Sequence, residues 1–230
     1  MSNRLPALFV LLFSLLLATG AQALDLASLS NKDAVGGLKE ALSQGAGKAV
    51  DSLGRSDGFL GNPKVKIGLP ENLEKVAGLM RRFGAGKQVE ELETAMNRAA
   101  EAAVPAAKPL LMNAIRQMSV EDAKGILSGG DDSVTQYFRR TTSAPLTEKF
   151  QPIVAKAIAK VKLAEKYDQF AGKAAKYGLV KEADSHLDGY VTRKAVDGLY
   201  LMVAEEEKAI RKDPLGATGS LAKKVFGLLR

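Results

Sequence analysis

Residues 184–211 read DSHLDGYVTRKAVDGLYLMVAEEEKAIR, and this stretch decides the fold class. Its apolar residues recur every three or four positions, at Leu187, Tyr190, Val191, Ala195, Leu199, Met202, Val203 and Ile210. That spacing puts them on one face of an α-helix. We therefore predict a long buried helix from about Asp184 to Arg211, which Pro214 follows closely.

The same spacing recurs in the first half of the chain. Residues 35–53 predict a helix that ends at Gly54. Pro70 suits the start of the next helix, whose buried stripe is predicted to contain Leu73, Val76, Leu79, Met80 and Phe83. Residues 86–118 predict a long helical segment with a break near residues 103–108, because an interior proline such as Pro105 removes a hydrogen bond.

Capping residues indicate further helices. Ser119 is a predicted cap for a short helix that Gly129 and Gly130 terminate, and Asp131 or Asp132 is a predicted cap for the next one. Residues 220–229 predict a last helix after Pro214.

Two apolar stripes between residues 150 and 177 disagree in phase. The residues Phe150, Ile153, Val154, Ala157 and Val161 form one stripe, and Leu163, Tyr167, Phe170, Ala174 and Tyr177 form the other. The second is rotated by roughly 160–200° from the first at 100° per residue. Either the chain bends near residues 162–164, or one helix passes through the middle of the fold.

Only Val65, Ile67 and Leu69 alternate with period two. A lone strand has no partner for its hydrogen bonds, so we expect an extended segment that lies on the helices. The fold class predicted is all-α, a single bundle-like domain over residues 24–230 with an extended loop at residues 54–69. Turn-forming residues fill residues 54–63, and loops of this kind often carry recognition. Its candidate interaction residues are Asp57, Phe59, Leu60 and Asn62.

The first residues have the pattern of a secretory signal peptide. Arg4 precedes the apolar run LPALFVLLFSLLLA, and the small residues Ala21 and Ala23 flank Gln22. The run is shorter than the roughly 20 residues that span a bilayer. We therefore expect export to the periplasm, cleavage after Ala23 and no transmembrane segment in the mature chain.

The composition excludes several classes of function. The chain has no cysteine, which removes thiol catalysis, thiolate metal sites and disulfides. Its formal net charge is +7, but an exported protein has no nucleic acid as its normal partner. Anionic partners outside the cytoplasm are lipid headgroups, lipopolysaccharide or acidic proteins, and a moderate charge also simply keeps a protein soluble.

No motif predicts a cofactor, a metal or a catalytic residue. The two GAGK tetrapeptides, at residues 45–48 and 84–87, lack both the earlier glycine and the following Ser or Thr of a phosphate-binding loop. We interpret their glycines as helix contacts or helix ends. His186 is the only histidine and suits a polar helix start. A hydrolase without a recognisable motif stays an alternative, because helical domains can host such chemistry.

Three consecutive acids, Glu205, Glu206 and Glu207, spread over about 200° of a helix and cannot converge on one ion. Glu207 with Arg211, and Glu205 with Lys208, have the spacing of helix ion pairs. We interpret this segment as a solvated face.

Lysines are concentrated between Glu148 and Lys181, with eight lysines against three acids. The candidate anion-binding or lipid-binding face contains Lys156, Lys160, Lys162, Lys166, Lys173 and Lys176, with Phe150, Tyr167, Phe170 and Tyr177 interleaved among the lysines. Lysines attract anionic surfaces, and aromatic rings supply interfacial area. Solvated lysines whose stems cover apolar surface explain the same pattern.

Several strings together resemble the bacterial domain-of-unknown-function family 4197. They are GLKEAL, DGFLGNPKVKIGLP, NRAAE at residues 97–101, FQPIV, and YVTRKAVDGLY with AEEEKAIRKDP. The resemblance implies an exported, mainly helical protein and assigns no functional residue. The function expected is a non-enzymatic binding protein of the cell envelope, whose partner is an envelope protein or, alternatively, a lipid or another anionic amphiphile.

Overall fold

The computed structural model describes residues 31–178, 181 and 185–213. Over these ranges the chain forms eight α-helices and no β-strand, which confirms the predicted all-α class. The helices are α1 (Asn31–Leu53), α2 (Glu71–Met80), α3 (Gly86–Ala103), α4 (Ala107–Gln117), α5 (Val120–Ser128), α6 (Ser133–Ile158), α7 (Lys162–Lys176) and α8 (Leu187–Lys212). The predicted signal peptide and the predicted helix at residues 220–229 lie outside the described residues.

Helix α8 lies at the centre of the described structure and packs against α1, α3 and α6. One cluster of buried apolar side chains includes residues from all eight helices. Leu199 and Phe138 are among its fully buried members, and burying a side chain of this size stabilises the fold by about 1.5–3 kcal/mol. The face predicted for α8 is confirmed by the buried Tyr190, Val191 and Val203.

The predicted caps and breaks are mostly found. Ser119 and Asp122 form a reciprocal capping box at the start of α5, because each side chain bonds to the other's backbone N–H. A 3₁₀ turn at Val104–Ala106 separates α3 from α4, as Pro105 predicts. Asp132 is the residue before α6, but its side chain makes no capping hydrogen bond.

Helix α6 ends at Ile158 and α7 begins at Lys162, so a bend explains the two apolar stripes. The backbone leaves the helix at residues 159–161, about one turn before the predicted position, and we call these three residues the elbow. Phe150 and Val154 face the core from α6, and Ala164 and Tyr167 do so from α7. The side chains of Leu163, Phe170 and Ala174 lie outside the described part of the structure.

The stripe predicted for residues 73–83 is wrong at its end. Leu73 is buried, but Leu79 is 53% exposed and Phe83 is 85% exposed. The backbone of Phe83 is not helical, and Gly84 has φ of 85°, a conformation that favours glycine. The chain therefore turns away from the core before Phe83 reaches it.

Candidate functional site

The loop at residues 54–69 is held against α3 by a buried carboxylate. Glu101 is 5% exposed, and its Oε1 accepts hydrogen bonds from the backbone N–H of Phe59 at 3.0 Å and of Leu60 at 3.1 Å. Arg98, one turn earlier on α3, donates to Glu101 Oε2 at 2.7 Å. A buried carboxylate needs such donors, so Glu101 has a structural role in this loop.

Arg98 also fixes the exposed start of the loop. Its guanidinium donates to Asp57 Oδ1 at 2.8 Å and to Ser56 Oγ at 3.1 Å. Asp57 has φ of 63°, which a residue with a Cβ adopts only when its surroundings stabilise that conformation. The ion pair with Arg98 and the packing of Phe59 provide these surroundings.

Asn97 takes the place of a neighbouring strand for the extended segment. Its side-chain amide accepts a hydrogen bond from Ile67 N–H and donates one to Ile67 C=O, both at 2.8 Å. The hydroxyl of Tyr190 donates to Gly68 C=O at 2.9 Å. These contacts satisfy backbone groups that a sheet would otherwise pair, so the alternating residues 65–69 lie on the helices as expected.

The four predicted loop residues lie at different depths. Phe59 is fully buried against Gly198 of α8, where a Cβ would be 2.7 Å from its Cε1 atom. Leu60 and Asn62 are half-buried, and the amide of Asn62 lies 3.8 Å from the sulfur of Met202. Asp57 is exposed beside Arg98. Phe59 therefore anchors the loop and does not contribute to its outer surface.

That outer surface contains exposed polar and charged residues on a fixed backbone. Arg55, Pro63 and Lys66 are exposed. Lys64 forms an ion pair with Glu205 of α8, and hydrogen bonding from Lys64 lowers the pKa of Glu205 below its ordinary value. The loop is thus tied to α3 and α8 at several points.

The interpretation of residues 205–207 as a solvated face is wrong for Glu207. Its side chain is 1% exposed and accepts hydrogen bonds from the backbone N–H of Val134 at 3.1 Å and of Thr135 at 3.2 Å. Glu207 therefore caps α6 from α8. The predicted pair with Arg211 is confirmed at 3.1 Å, whereas Glu205 pairs with Lys64 across the fold.

The lysines of the candidate anion-binding face are spread over the end of α6, the elbow and the whole of α7. Lys156, Lys160, Lys162, Lys166 and Lys176 are exposed, and Lys173 belongs to α7 with its side chain outside the described part. Two of the four aromatic residues do not share this face, and the side chain of Phe170 lies outside the described part. Phe150 and Tyr167 are buried in the core, while Tyr177, at the end of α7, is 81% exposed.

A cleft of about 430 Å³ lies at the elbow, where the end of α6 meets the beginnings of α7 and α8. Lys160, Lys162, Glu165 and Asp188 contribute charged groups to its lining. Asp168 also lines the cleft, but its Oδ1 accepts a hydrogen bond from Leu187 N–H at 2.8 Å. The cleft combines cations, carboxylates and apolar side chains in one place.

His186 precedes α8 and is 71% exposed, which confirms a polar residue at a helix start. Its Nδ1 atom lies 4.0 Å from Asp168 Oδ2. Within residues 31–178, 181 and 185–213, no group of three His, Cys, Asp or Glu side chains is placed to hold a metal ion. Gly45, which packs against Glu206 of α8, and Gly84, which lies between α2 and α3, fit the interpretation made from the sequence. Gly47 does not, because it lies inside α1 and a Cβ there would meet nothing within 4 Å.

Two buried tyrosines connect α7 with α8. Burial raises the pKa of Tyr190 to about 12. Burial also raises the pKa of Tyr167, and the nearby Tyr190 and Asp168 act in the same direction. Both side chains stay neutral at physiological pH, so they hold the beginning of α8 against α7 as apolar groups with a polar tip.

Sequence reasoning missed the roles of Asn97, Glu101 and Gly198. A signal was present, because an asparagine and a glutamate interrupt the alanine-rich face of residues 96–103. Polar residues on a buried face are expected to have specific partners. The partners themselves come from residues 59–67, and no spacing rule links such distant positions.

None of the described helices combines the length and apolar character needed to cross a membrane. No curated protein and no solved structure matches the chain. The family model described as "Protein of unknown function (DUF4197)" matches residues 28–227. The chain therefore belongs to the DUF4197 family, as the resemblance of its sequence strings predicts.

Proposed function

We propose that this protein is an exported, non-enzymatic binding protein of the cell envelope that recognises another envelope protein through the loop at residues 54–69. The observation that carries the proposal is the preorganisation of this loop. Glu101, Asn97 and the buried Phe59 fix its backbone from below, while Arg55, Pro63 and Lys66 are exposed above. A loop that is already ordered loses little entropy on binding, which favours recognition.

The use of the buried carboxylates supports binding over catalysis. Glu101 and Glu207 are both engaged by backbone N–H groups and by an arginine. Their hydrogen bonds therefore stabilise the loop and the start of α6, and these are structural tasks. The exposed surface is then the natural place for a specific contact.

Export is part of the proposal and rests on the amino-terminal pattern. Arg4, the apolar run and the small residues that end at Ala23 favour cleavage there and delivery to the periplasm. Amino-terminal sequencing of the protein from a periplasmic fraction tests it. A mature chain that begins at Leu24 supports export, and a cytoplasmic chain that retains Met1 contradicts it.

Site-specific photo-cross-linking in living cells tests the protein partner. A photoreactive amino acid at Lys66 should give a discrete adduct, because this side chain is on the exposed surface of the loop. The matched control is Gln117, which is exposed at the end of α4. This position lies outside the loop, beside α1, because Lys39 of α1 donates a hydrogen bond to the neighbouring Arg116 C=O. Equal adducts from both positions, or none from Lys66, contradict the proposal.

A second candidate function is the binding of a lipid or another anionic amphiphile through the candidate anion-binding face. The observation that favours it is the exposure of Lys156, Lys166 and Lys176 together with the exposed ring of Tyr177. Each lysine near an anionic membrane surface contributes about 1 kcal/mol of attraction. Salt screens this attraction over a Debye length of about 8–10 Å.

Vesicle co-sedimentation tests this second function. Vesicles of phosphatidylglycerol and phosphatidylcholine should bind the protein at low salt and release it at physiological ionic strength. Changing Lys156, Lys166 and Lys176 together to Gln should abolish the binding. The control changes three exposed lysines elsewhere, Lys66, Lys124 and Lys208, and should retain it. If both variants lose vesicle binding equally, the binding depends on net charge alone, which contradicts binding through a specific face.

A further inference from the structure

The elbow cleft has the size and position of a small-molecule site. Its volume of about 430 Å³ falls in the range of roughly 300–1,000 Å³ that is typical of ligand pockets. Three helices contribute to its walls, since α6 ends, α7 begins and α8 begins around it. A site built on helix ends keeps its shape better than a site on a loop.

The apolar part of the lining lies deep in the cleft. Ile158, Ala164 and Leu187 are at most 7% exposed as residues, and all three belong to the hydrophobic core. Above these core residues, Ala155 and Val161 are half-buried and Ala159 is exposed, so they present accessible apolar surface to the cleft. The cleft thus offers an apolar floor that suits an alkyl chain.

The charged part of the lining contains both signs. Lys160 and Lys162 are exposed cations, Glu165 is an exposed carboxylate and Asp188 is a half-buried one. Asp168 is already engaged, because it accepts the hydrogen bond from Leu187 N–H. A purely anionic ligand would meet two carboxylates here, and a purely cationic ligand would meet two lysines.

From this arrangement we infer that the elbow cleft binds a zwitterionic amphiphile, a phospholipid whose headgroup carries a phosphate and a primary ammonium. The phosphate lies between Lys160 and Lys162, the ammonium donates to Glu165 and Asp188, and the start of the acyl chain covers the apolar floor. The inference deepens the second candidate function, on which it rests, by naming the ligand class and the place where it binds.

Calorimetric titration of the purified protein with monomeric myristoyl lysophosphatidylethanolamine tests the inference. Lysophosphatidylglycerol with the same chain should bind about tenfold more weakly, which corresponds to ~1.4 kcal/mol. Free phosphoethanolamine should give no measurable binding, because it lacks the apolar part. Equal affinity for the two lysolipids, or for the lysolipid and free phosphoethanolamine, overturns the inference.

Variants of the rim separate the two headgroup contacts. Changing Glu165 to Gln together with Asp188 to Asn should remove the preference for the ethanolamine headgroup. Changing Lys160 and Lys162 to Gln should weaken binding of both lysolipids by about tenfold. The matched control changes Lys124 and Lys208 to Gln, two exposed lysines that do not line the cleft, and should bind like the unaltered protein. Unchanged binding in both rim variants overturns the inference.

The test also separates this inference from the function on which it rests. The vesicle experiment depends on Lys156, Lys166 and Lys176, and none of these residues lines the cleft. Salt-dependent vesicle binding without lysolipid binding overturns the proposal that the elbow cleft binds lipid, and it supports vesicle binding by Lys156, Lys166 and Lys176. If the protein binds neither vesicles nor lysolipid, both the second candidate function and the cleft inference are overturned.

Discussion

The ring of Phe59 occupies the space that a side chain at position 198 would need. A Cβ on Gly198 would lie 2.7 Å from Phe59 Cε1, closer than carbon atoms approach without a shift of structure. Phe59 is fully buried, so its ring has no open space into which to move. The loop at residues 54–69 is therefore attached to the centre of the fold through this contact, through the buried Val65 and Ile67, and through hydrogen bonds.

Changing Gly198 to Ala should destabilise the protein by about 1–3 kcal/mol, because overpacking in the core outweighs the better helix propensity of alanine. Urea unfolding followed by circular dichroism measures this. The control is Gly47 to Ala on α1, where a Cβ would meet nothing within 4 Å. That change should stabilise the protein by ~0.5–1 kcal/mol. A stabilising effect at both positions would contradict the close contact with Phe59.

Changing Glu101 to Ala should release the loop and cost about 2–4 kcal/mol, because two backbone N–H groups lose their acceptor. Limited trypsin digestion should then cut after Arg55, Lys64 or Lys66. Both N–H groups bond to the same oxygen, which Glu101 to Gln retains, whereas the bond from Arg98 to the other oxygen is lost. The Gln variant should therefore be cleaved more slowly than the Ala variant. Rapid cleavage of the unaltered protein, or equal cleavage of the two variants, would contradict this role.

The neighbouring acids Glu205 and Glu207 should respond very differently to replacement by alanine. Loss of Glu207 removes the cap of α6 and leaves the largely buried Arg211 without its only carboxylate partner among the described residues, at a cost of about 3–5 kcal/mol. Loss of Glu205 removes only a surface ion pair and should leave the unfolding midpoint nearly unchanged. Similar midpoints for both variants would contradict the buried cap.

The buried tyrosines should make the fold sensitive to alkaline pH. Their ordinary pKa is 10.0, and burial raises that of Tyr190 to about 12, so the neutral form is favoured in the folded state. This contribution is fully present below pH 10 and is lost as the pH rises towards 12, with a slope of about 1.4 kcal/mol per pH unit. Replacing Tyr190 by Phe should reduce the slope in urea unfolding across this range. An unchanged slope would contradict the burial of its hydroxyl.

Helix positions could be predicted from the sequence because periodicity is a local property. The stripe of α8 depends only on residues within a few turns of one another, and the break before α7 follows from the phase of two nearby stripes. Periodicity failed at Phe83 because a left-handed glycine redirects the chain there. It also failed at Glu207, whose partners in α6 are more than seventy residues away.

The candidate site was predictable only in its local part. Composition alone indicates the lysines of the candidate anion-binding face. The cleft could not be predicted, because it forms only when Asp168 and Leu187 bring the beginning of α8 to the elbow. Turn-forming residues predict the loop, but the burial of Phe59 depends on Gly198, far along the chain.

Native mass spectrometry of the protein purified from its own cell envelope tests the central claim most directly, because it detects processing and binding in one spectrum. The account predicts a chain that begins at Leu24 and carries additional non-covalent mass, from a partner protein or from a lipid. Gentle collisional activation should release that mass and leave the processed chain. An empty monomer, or a chain that still contains residues 1–23, would contradict an exported binding protein.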